Sequence, residues 1–142
     1  MIQGLSHMTF ITRDLDRMEE ILTHILDATK TYDSGEGSHS LSRERFFDVA
    51  GLWIATMEGE PLPTRSYNHV AFKIDPADYD MYLDRIRALG LDLREGRSRI
   101  TGEGQSIYFH DNDNHLFELH TGTLAERLAT YAAADSRGET AI

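Results

Sequence analysis

The alternation of apolar and polar residues divides the first half of the chain into one helix and four strands. Residues 5–12 alternate and include β-branched types, which is typical of a half-buried strand. Residues 14–27 carry apolar side chains at i, i+3 and i+4 spacing, which predicts a helix capped by Thr12 or Asp14. Three more strands are predicted, the last two meeting at a turn at Gly51: residues 28–33, 44–50 and 52–58.

The second half repeats this order of elements. Residues 67–74 form the predicted first strand, and Asp75 and Pro76 suit the cap and first position of a helix that ends at Gly90. The remaining strands are predicted at 91–95, 105–110 and 115–120. A short helix at 123–134 follows, and the residues from Asp135 are expected to be loose.

The two halves also share sequence. The segment His7-Met8-Thr9-Phe10-Ile11 aligns with His69-Val70-Ala71-Phe72-Lys73, 62 residues later. A duplicated unit predicts an α+β fold of two tandem βαβββ modules, at about 4–60 and 65–121, within a single domain over 1–142. Their curled mixed sheets are expected to face each other about a pseudo-twofold axis and to form a metal-containing cleft.

Composition narrows the classes of function. A net charge of −10 argues against nucleic acid as a partner, because binding to the phosphate backbone needs clustered positive charge. No apolar run approaches the roughly 20 residues that span a bilayer, so we expect no membrane partner. The chain has no cysteine, which excludes disulfides and thiolate sites and fits a cytoplasmic protein.

Two histidines and one glutamate form the candidate metal site. The pseudo-twofold axis brings the first strands of the two modules together, and with them His7 and His69. Glu118 lies on the last strand, which should curl back toward the same cleft. Two imidazoles and a carboxylate suit a divalent ion and leave coordination positions open, as a catalytic metal requires.

The repeat makes a further prediction about the remaining corner of the site. The symmetric partner of Glu118 is expected at Thr56, a poor ligand, so that this corner stays vacant. Glu58 is an alternative fourth ligand if the register slips. The run Asp111–Asn114 resembles a calcium loop only superficially. The other histidines are expected to be packed or hydrogen-bonded residues: His24, His39, His110, His115 and His120.

The chain resembles the vicinal-oxygen-chelate superfamily, the glyoxalase and extradiol dioxygenase group, from residue 4 to about 130. Within that group it is most similar to the fosfomycin-resistance epoxide hydrolases of the FosX type. The most specific resembling segments are Gly102–Phe109 and Asp113–His120. The others are Gly4–His7, Arg43–Phe47, Ala50–Ile54 and Tyr67–His69.

This resemblance implies Mn(II) held by His7, His69 and Glu118, fosfomycin as the substrate, and a homodimer whose units pair within or between chains. It also implies that Glu44 is the general base that activates water, since thiol-transferring relatives lack a glutamate there. The phosphonate-side residues implied by alignment are Thr9, Ser106, Tyr108 and Arg127. Trp53 and Phe46 are expected to form an apolar wall or to pack in the core.

Departures from the related thiol transferases leave some phosphonate contacts open. Their phosphonate-binding lysine aligns with Ser98 and the serine after it with Gly102, so Arg94, Arg97 or Arg99 is expected to take over. Three alternatives to a hydrolase remain: a glutathione-type thiol transferase, a metal-free drug-binding protein and an iron(II) extradiol dioxygenase.

Overall fold

The chain folds into two compact units. The computed structural model describes residues 1–94, 97 and 99–139. The first unit contains Met1–Ser66 together with Asp111–His115, and the second contains Tyr67–His110 and the residues from Leu116 on. Each unit carries a four-stranded mixed sheet. The predicted α+β fold with its repeated βαβββ order is therefore confirmed.

The first unit has its strands in the order β1-β4-β3-β2. β1 runs parallel to β4, and the other neighbours are antiparallel. The carboxylate of Asp14 accepts the Arg17 N–H at 3.0 Å and so begins the helix, as one of the two predicted caps. The element bounds are β1 (His7–Thr12), α1 (Leu15–Ile25), β2 (Thr29–Asp33), β3 (Glu44–Val49) and β4 (Leu52–Glu58).

Helix α1 covers one face of this sheet, and the opposite face, which no helix of the first unit covers, is called the open face. Its apolar stripe is buried, with Met18, Ile21 and Leu22 at most 1% exposed. From the sheet, Phe47 and Ile54 contribute to the same core. The side chains that alternate with these two belong to the opposite face, which includes His7.

The second unit repeats the arrangement with the order β5-β8-β7-β6. Asp75 caps its helical segment as predicted, accepting the Ala77 N–H at 2.9 Å, but a short 3-10 turn at Pro76–Asp78 precedes the α-helix. The element bounds are β5 (His69–Lys73), α2 (Tyr79–Ala88), β6 (Asp92–Arg94), β7 (Ser106–His110), β8 (Leu116–His120) and α3 (Leu124–Arg137). Residue 95 of the predicted sixth strand lies outside the described residues.

The last helix is longer than predicted. It continues through Asp135 to Arg137, so the expectation of a loose chain from Asp135 is wrong for these residues. Gly138, with φ of 69°, ends the helix in the left-handed conformation, and the Glu139 N–H donates to the Ala134 carbonyl at 2.9 Å. Within the described residues, no helix is long and apolar enough to cross a bilayer.

The turn between β7 and β8 belongs to the first unit, and its side chains are hydrogen-bonded to residues of that unit. The Asp113 carboxylate accepts the Thr12 hydroxyl at 2.6 Å and the Arg13 N–H at 3.1 Å. The Asn114 amide donates to the Leu62 carbonyl at 2.6 Å. The sequence repeat predicts this turn only as a link between two strands, because these partners lie about 50 to 100 residues away along the chain.

Candidate metal centre and substrate pocket

His69 and Glu118 lie side by side on one face of the second sheet. The register pairs Ala71 with Glu118, which places the neighbouring His69 on the face that carries Glu118. The Nε2 atom of His69 is 3.0 Å from Oε1 of Glu118, and Glu118 is only 4% exposed. The structure therefore brings together two of the three predicted metal ligands.

The tautomer of His69 suits a metal ligand. Its Nδ1 is 2.6 Å from the Tyr67 carbonyl oxygen, and a carbonyl can only accept, so Nδ1 carries the hydrogen. The Nε2 lone pair then faces a carboxylate oxygen, which is unfavourable unless a proton or a cation lies between them. Two ligand atoms about 2.1 Å from one octahedral ion lie about 3.0 Å apart. The pair therefore fits a divalent cation.

His7 lies in the first unit, at the start of β1. Its ring stacks on Trp53 with 4.1 Å between centroids, and its Nδ1 is 3.0 Å from the Ser6 hydroxyl. Phe46 contacts the same indole, with centroids 5.2 Å apart. Trp53 and Phe46 thus form an aromatic cluster beside His7 on the open face of the sheet, and their role as an apolar wall beside the substrate stays a prediction. That His7 shares an ion with His69 and Glu118 stays a prediction.

The predicted symmetric partner of Glu118 is wrong by one residue. Ala71 pairs with Glu118, and its counterpart Thr9 pairs with Ala55. Thr56 faces the other side of the sheet, where its hydroxyl donates to the Arg45 carbonyl at 3.2 Å. The corner is still without a ligand, because alanine has no atom that coordinates a metal.

Glu58 is not a fourth ligand. It shares the sheet face of Thr56 and not that of His7, as the pairing of Thr12 with Glu58 requires. Its carboxylate accepts two hydrogen bonds from the guanidinium of Arg43. These bonds from Arg43 lower the pKa of Glu58.

Glu44 begins β3 on the open face of the first sheet, in register with Met57. Ser34 binds both the N–H and the carbonyl of the Glu44 backbone. The Ser34 hydroxyl accepts the Glu44 N–H, and the Ser34 N–H donates to the Glu44 carbonyl, each at 3.0 Å. The residue is 8% exposed, so it is more buried than its position between two arginines suggests. Arg43 and Arg45 take acidic partners on the opposite face.

A hydrogen-bonded chain lies behind Glu118 in the second unit. The Ser106 hydroxyl is 2.6 Å from Oε2 of Glu118 and 2.7 Å from Nδ1 of His120. Nε2 of His120 is 3.1 Å from Nη2 of Arg127. Burial lowers the pKa of His120, and the positive charge of Arg127 lowers it further. A cavity of about 300 Å³ is lined by His69, Glu118, His120 and Arg127, among others.

Arg99 is the predicted arginine that reaches this group. Its Nη2 donates to Ser106 at 2.7 Å and to the Tyr108 hydroxyl at 3.2 Å.

Arg94 lies over the Tyr67 ring instead, 4.9 Å from its centroid. Arg97 bonds to Glu103, and Ser98 lies outside the described residues. Burial raises the pKa of Tyr108, as does its hydrogen bond with Tyr67, so the phenol keeps its proton.

Glu103 is a residue that sequence reasoning did not single out. Its carboxylate contacts the guanidiniums of Arg97, Arg99 and Arg127, and accepts the Tyr131 hydroxyl at 3.0 Å. Burial opposes ionisation, but the hydrogen bonds from Arg97 and Tyr131 outweigh it and hold the pKa at about 2. One carboxylate thus gathers three positive charges. Its signal in the sequence was the acidic residue between Gly102 and Gly104, close to the arginines.

A second group of possible ligand atoms lies in the first unit. Asp111, Asp113 and His115 place a donor atom each within 4.8 Å of one another. The Asp111 carboxylate accepts the N–H groups of Asp113 and His115 at 2.9 Å, and its other oxygen is 2.7 Å from the His115 ring. These bonds connect the polar groups of the turn to one another.

Comparison with known proteins identifies the family. Residues 4–119 match the sequence profile of the Glyoxalase/Bleomycin resistance protein/Dioxygenase superfamily. The fosfomycin resistance protein FosX of Mesorhizobium japonicum is 61% identical over 93% of this chain and 95% of that protein. The chain belongs to the FosX family. FosX of Listeria innocua is 54% identical over 92% of this chain and 98% of that protein.

A solved structure of the FosX family carries ligands. A point mutant of FosX from Listeria monocytogenes was crystallised with Mn(II) and 1S,2S-dihydroxypropylphosphonic acid. It is 50% identical to this chain, covers 92% of it and 99% of its own chain, and superimposes with a TM-score of 0.85. The family and fold expected from the resembling segments are confirmed.

Proposed function

We propose that the protein is a Mn(II)-dependent epoxide hydrolase that adds water to fosfomycin and so confers resistance to it. The observation that carries this proposal is the pair of His69 Nε2 and Glu118 Oε1, which lie 3.0 Å apart while the other ring nitrogen of His69 is bonded to the Tyr67 carbonyl. A FosX relative that holds Mn(II) and a dihydroxypropylphosphonic acid supports it. That diol is what results when water opens the epoxide of fosfomycin.

His7, His69 and Glu118 are the residues that hold the ion. Bound there, Mn(II) supplies a Lewis acid that stabilises the negative charge on the leaving epoxide oxygen. Three protein ligands and the alanine at the fourth symmetric corner leave room for substrate and water. Trp53 fixes the plane of the His7 ring by stacking, which prepares that ligand for binding.

The phosphonate is held by donors and by positive charge. Arg99 and Tyr108 contribute from the second unit, because their side chains adjoin Glu118. Arg127 adds a second guanidinium from the wall of the cavity. Thr9 shares the sheet face of His7 and donates from the first unit. Ser106 is not counted among the phosphonate donors, because its hydroxyl already has Arg99, His120 and Glu118 as hydrogen-bond partners.

Glu44 is the general base. A carboxylate takes a proton from the attacking water while the new C–O bond forms and the epoxide C–O bond breaks. Glu44 takes this proton and later releases it to solvent, and the opened oxygen gains a proton from solvent to become the second hydroxyl of the diol. Burial of Glu44 at the start of a strand keeps its position fixed. Phe46 and Trp53 provide the apolar wall beside it.

The proposal includes a homodimer that acts in the cytoplasm. The resemblance to FosX-type enzymes supports the dimer, in which units of one or of two chains complete each site. The absence of cysteine fits a compartment in which thiols stay reduced.

Phosphorus NMR of fosfomycin incubated with the Mn(II)-loaded protein, in the absence of any thiol, tests this function. The proposal predicts that the fosfomycin resonance is replaced by that of the diol. Conversion only after addition of glutathione would identify a thiol transferase instead. Stoichiometric binding without conversion would identify a protein that sequesters the drug.

A further inference from the structure

The hydrogen-bonded chain behind Glu118 has a fixed direction. Arginine has donors and no acceptor, so Nη2 of Arg127 donates to Nε2 of His120 across 3.1 Å. The imidazole hydrogen must then lie on Nδ1, which donates to the Ser106 hydroxyl oxygen across 2.7 Å. His120 is therefore held in one defined tautomer, with its hydrogen on Nδ1.

The same reasoning fixes the Ser106 hydroxyl hydrogen. A hydroxyl oxygen accepts two hydrogen bonds, and Ser106 receives them from His120 at 2.7 Å and from Arg99 at 2.7 Å. Its one hydrogen is left for Oε2 of Glu118, 2.6 Å away. The chain therefore ends with a donor aimed at one oxygen of Glu118, while Oε1 faces His69.

Gly122 leaves room for the imidazole of His120. A Cβ atom built on Gly122 would lie 2.7 Å from Nε2 of His120, closer than real Cβ contacts occur. Only glycine at this position lets the ring lie against the strand end and point Nε2 toward Arg127. The ring thus occupies space that a side chain at position 122 would fill, and its two hydrogen bonds set its orientation.

We propose that His120 is a positioning residue that acts through Ser106 to orient Glu118. It keeps the Ser106 hydrogen on Oε2, so that Glu118 offers Oε1 alone to the cation and does not bind it through both oxygens. This inference rests on the proposed function only for the presence of the ion. Outer partners of metal ligands commonly change metal affinity by about 10–100-fold when they are removed.

A double-mutant cycle in Mn(II) affinity tests this inference. Free Mn(II) is measured by electron paramagnetic resonance during titration of the wild type, His120→Leu, Ser106→Ala and the double variant. We expect each single change to weaken binding by about 10–100-fold. The double variant should be no weaker than Ser106→Ala, because His120 acts through that hydroxyl.

Conservative and control variants separate this role from a structural one. His120→Asn keeps an N–H near the position of Nδ1 and should recover most of the affinity. His120→Gln places its amide near the position of Nε2 and should not. His110→Leu removes a buried histidine of the same sheet, 4% exposed, and should leave the Mn(II) affinity unchanged. Thermal melting of each variant reports whether it folds.

Three results would overturn the inference. They are a His120→Leu variant that folds and binds Mn(II) like the wild type, losses that multiply in the double variant, and no binding by the wild type. Failure of the proposed function is visible separately. A wild type that binds Mn(II) and couples His120 to Ser106, yet forms no diol, would remove the hydrolase proposal and leave this role of His120 intact.

Discussion

Glu44 and Glu118 are both buried carboxylates, but their surroundings suit different roles. Glu118 is contacted by two histidines, a serine and an arginine, which orient both of its oxygens. Glu44 is fixed through its backbone, by Ser34, at the first position of a strand. An oriented carboxylate suits a metal ligand, whereas a carboxylate on a fixed backbone at the open face of the sheet suits a base.

The role of Glu44 predicts the behaviour of Glu44→Gln. Hydration of fosfomycin should fall by about 10²–10⁴-fold, because glutamine cannot take the proton of the attacking water. Mn(II) affinity and the dissociation constant for fosfomycin should stay near the wild-type values, since the side chain keeps its shape. Stopped assays of diol and isothermal titration measure these two quantities. Undiminished turnover would remove Glu44 from the mechanism.

The position of Arg99 predicts a specific loss of substrate binding. Arg99→Gln should raise KM for fosfomycin by about 10-fold or more, since a hydrogen bond between charged groups contributes about 1.5–3 kcal/mol. Arg94→Gln removes the same charge from a side chain that lies over Tyr67 and should change KM far less. Steady-state kinetics of both variants provide the comparison. Equal effects would mean that only the overall charge matters.

Sequence reasoning succeeds for residues whose role depends on strand alternation. His69 and Glu118 were predicted to share a site because alternate positions face one way, and their side chains do meet. His120 was expected to be an ordinary hydrogen-bonded residue. Its place in the series of hydrogen bonds behind Glu118 depends on the register of β7 against β8 and on Arg127 of α3. No pattern of apolar residues contains that information.

At the scale of elements, Glu103 ties the arginine-bearing loop before β7 to the last helix. It binds Arg97 and Arg99 from its own loop and is contacted by Tyr131 and Arg127 of α3. The loop that carries Arg99 is therefore held by a contact with the helix rather than by strand pairing. These contacts hold Arg99 near Glu118.

Glu103→Gln should lower the free energy of unfolding by about 1–3 kcal/mol at pH 7. The pKa of Glu103 is about 2 in the folded protein and about 4.3 when unfolded, so its contribution is complete above about pH 4.3. The contribution is lost as the pH falls through 2. The difference from wild type should therefore shrink between about pH 4 and pH 2 in urea unfolding curves.

Glu36→Gln is the control for this measurement, since the Glu36 side chain is 98% exposed and its loss should not matter. A gap between wild type and Glu103→Gln that stays constant down to pH 2 would show that Glu103 does not act through its charge.

The sequence predictions failed where they depended on the register of strands and on the end of a helix. The repeat predicted Thr56 opposite Glu118 because the offset of 62 residues holds for β1 and β5. It becomes 63 by β4 and β8, since Ala55 is the true counterpart. A one-residue change in a connecting loop leaves the apolar pattern intact, so it is invisible in the sequence. The residues of α3 beyond the predicted end at residue 134 depend on Gly138, which caps the helix in the left-handed conformation.

At the scale of the whole molecule, the proposed homodimer makes the origin of each site testable. We expect the protein to sediment at twice the mass of one chain. If each site takes His7 from one chain and His69 from the other, inactive His7→Ala and His69→Ala variants refolded together should regain activity, because some dimers then contain one intact site. Sedimentation as a monomer would contradict the dimer, and a dimer without complementation would place all three ligands in one chain.

One ion is proposed to bind at His7, His69 and Glu118, and titration of the protein with Mn(II) shows whether it does. Electron paramagnetic resonance of free Mn(II) should reveal one bound ion per chain in the wild type, and binding should weaken by at least 100-fold in His69→Ala. Binding that persists unchanged in that variant would place the ion elsewhere, such as at Asp111, Asp113 and His115. That result, or no binding by the wild type, would contradict the account.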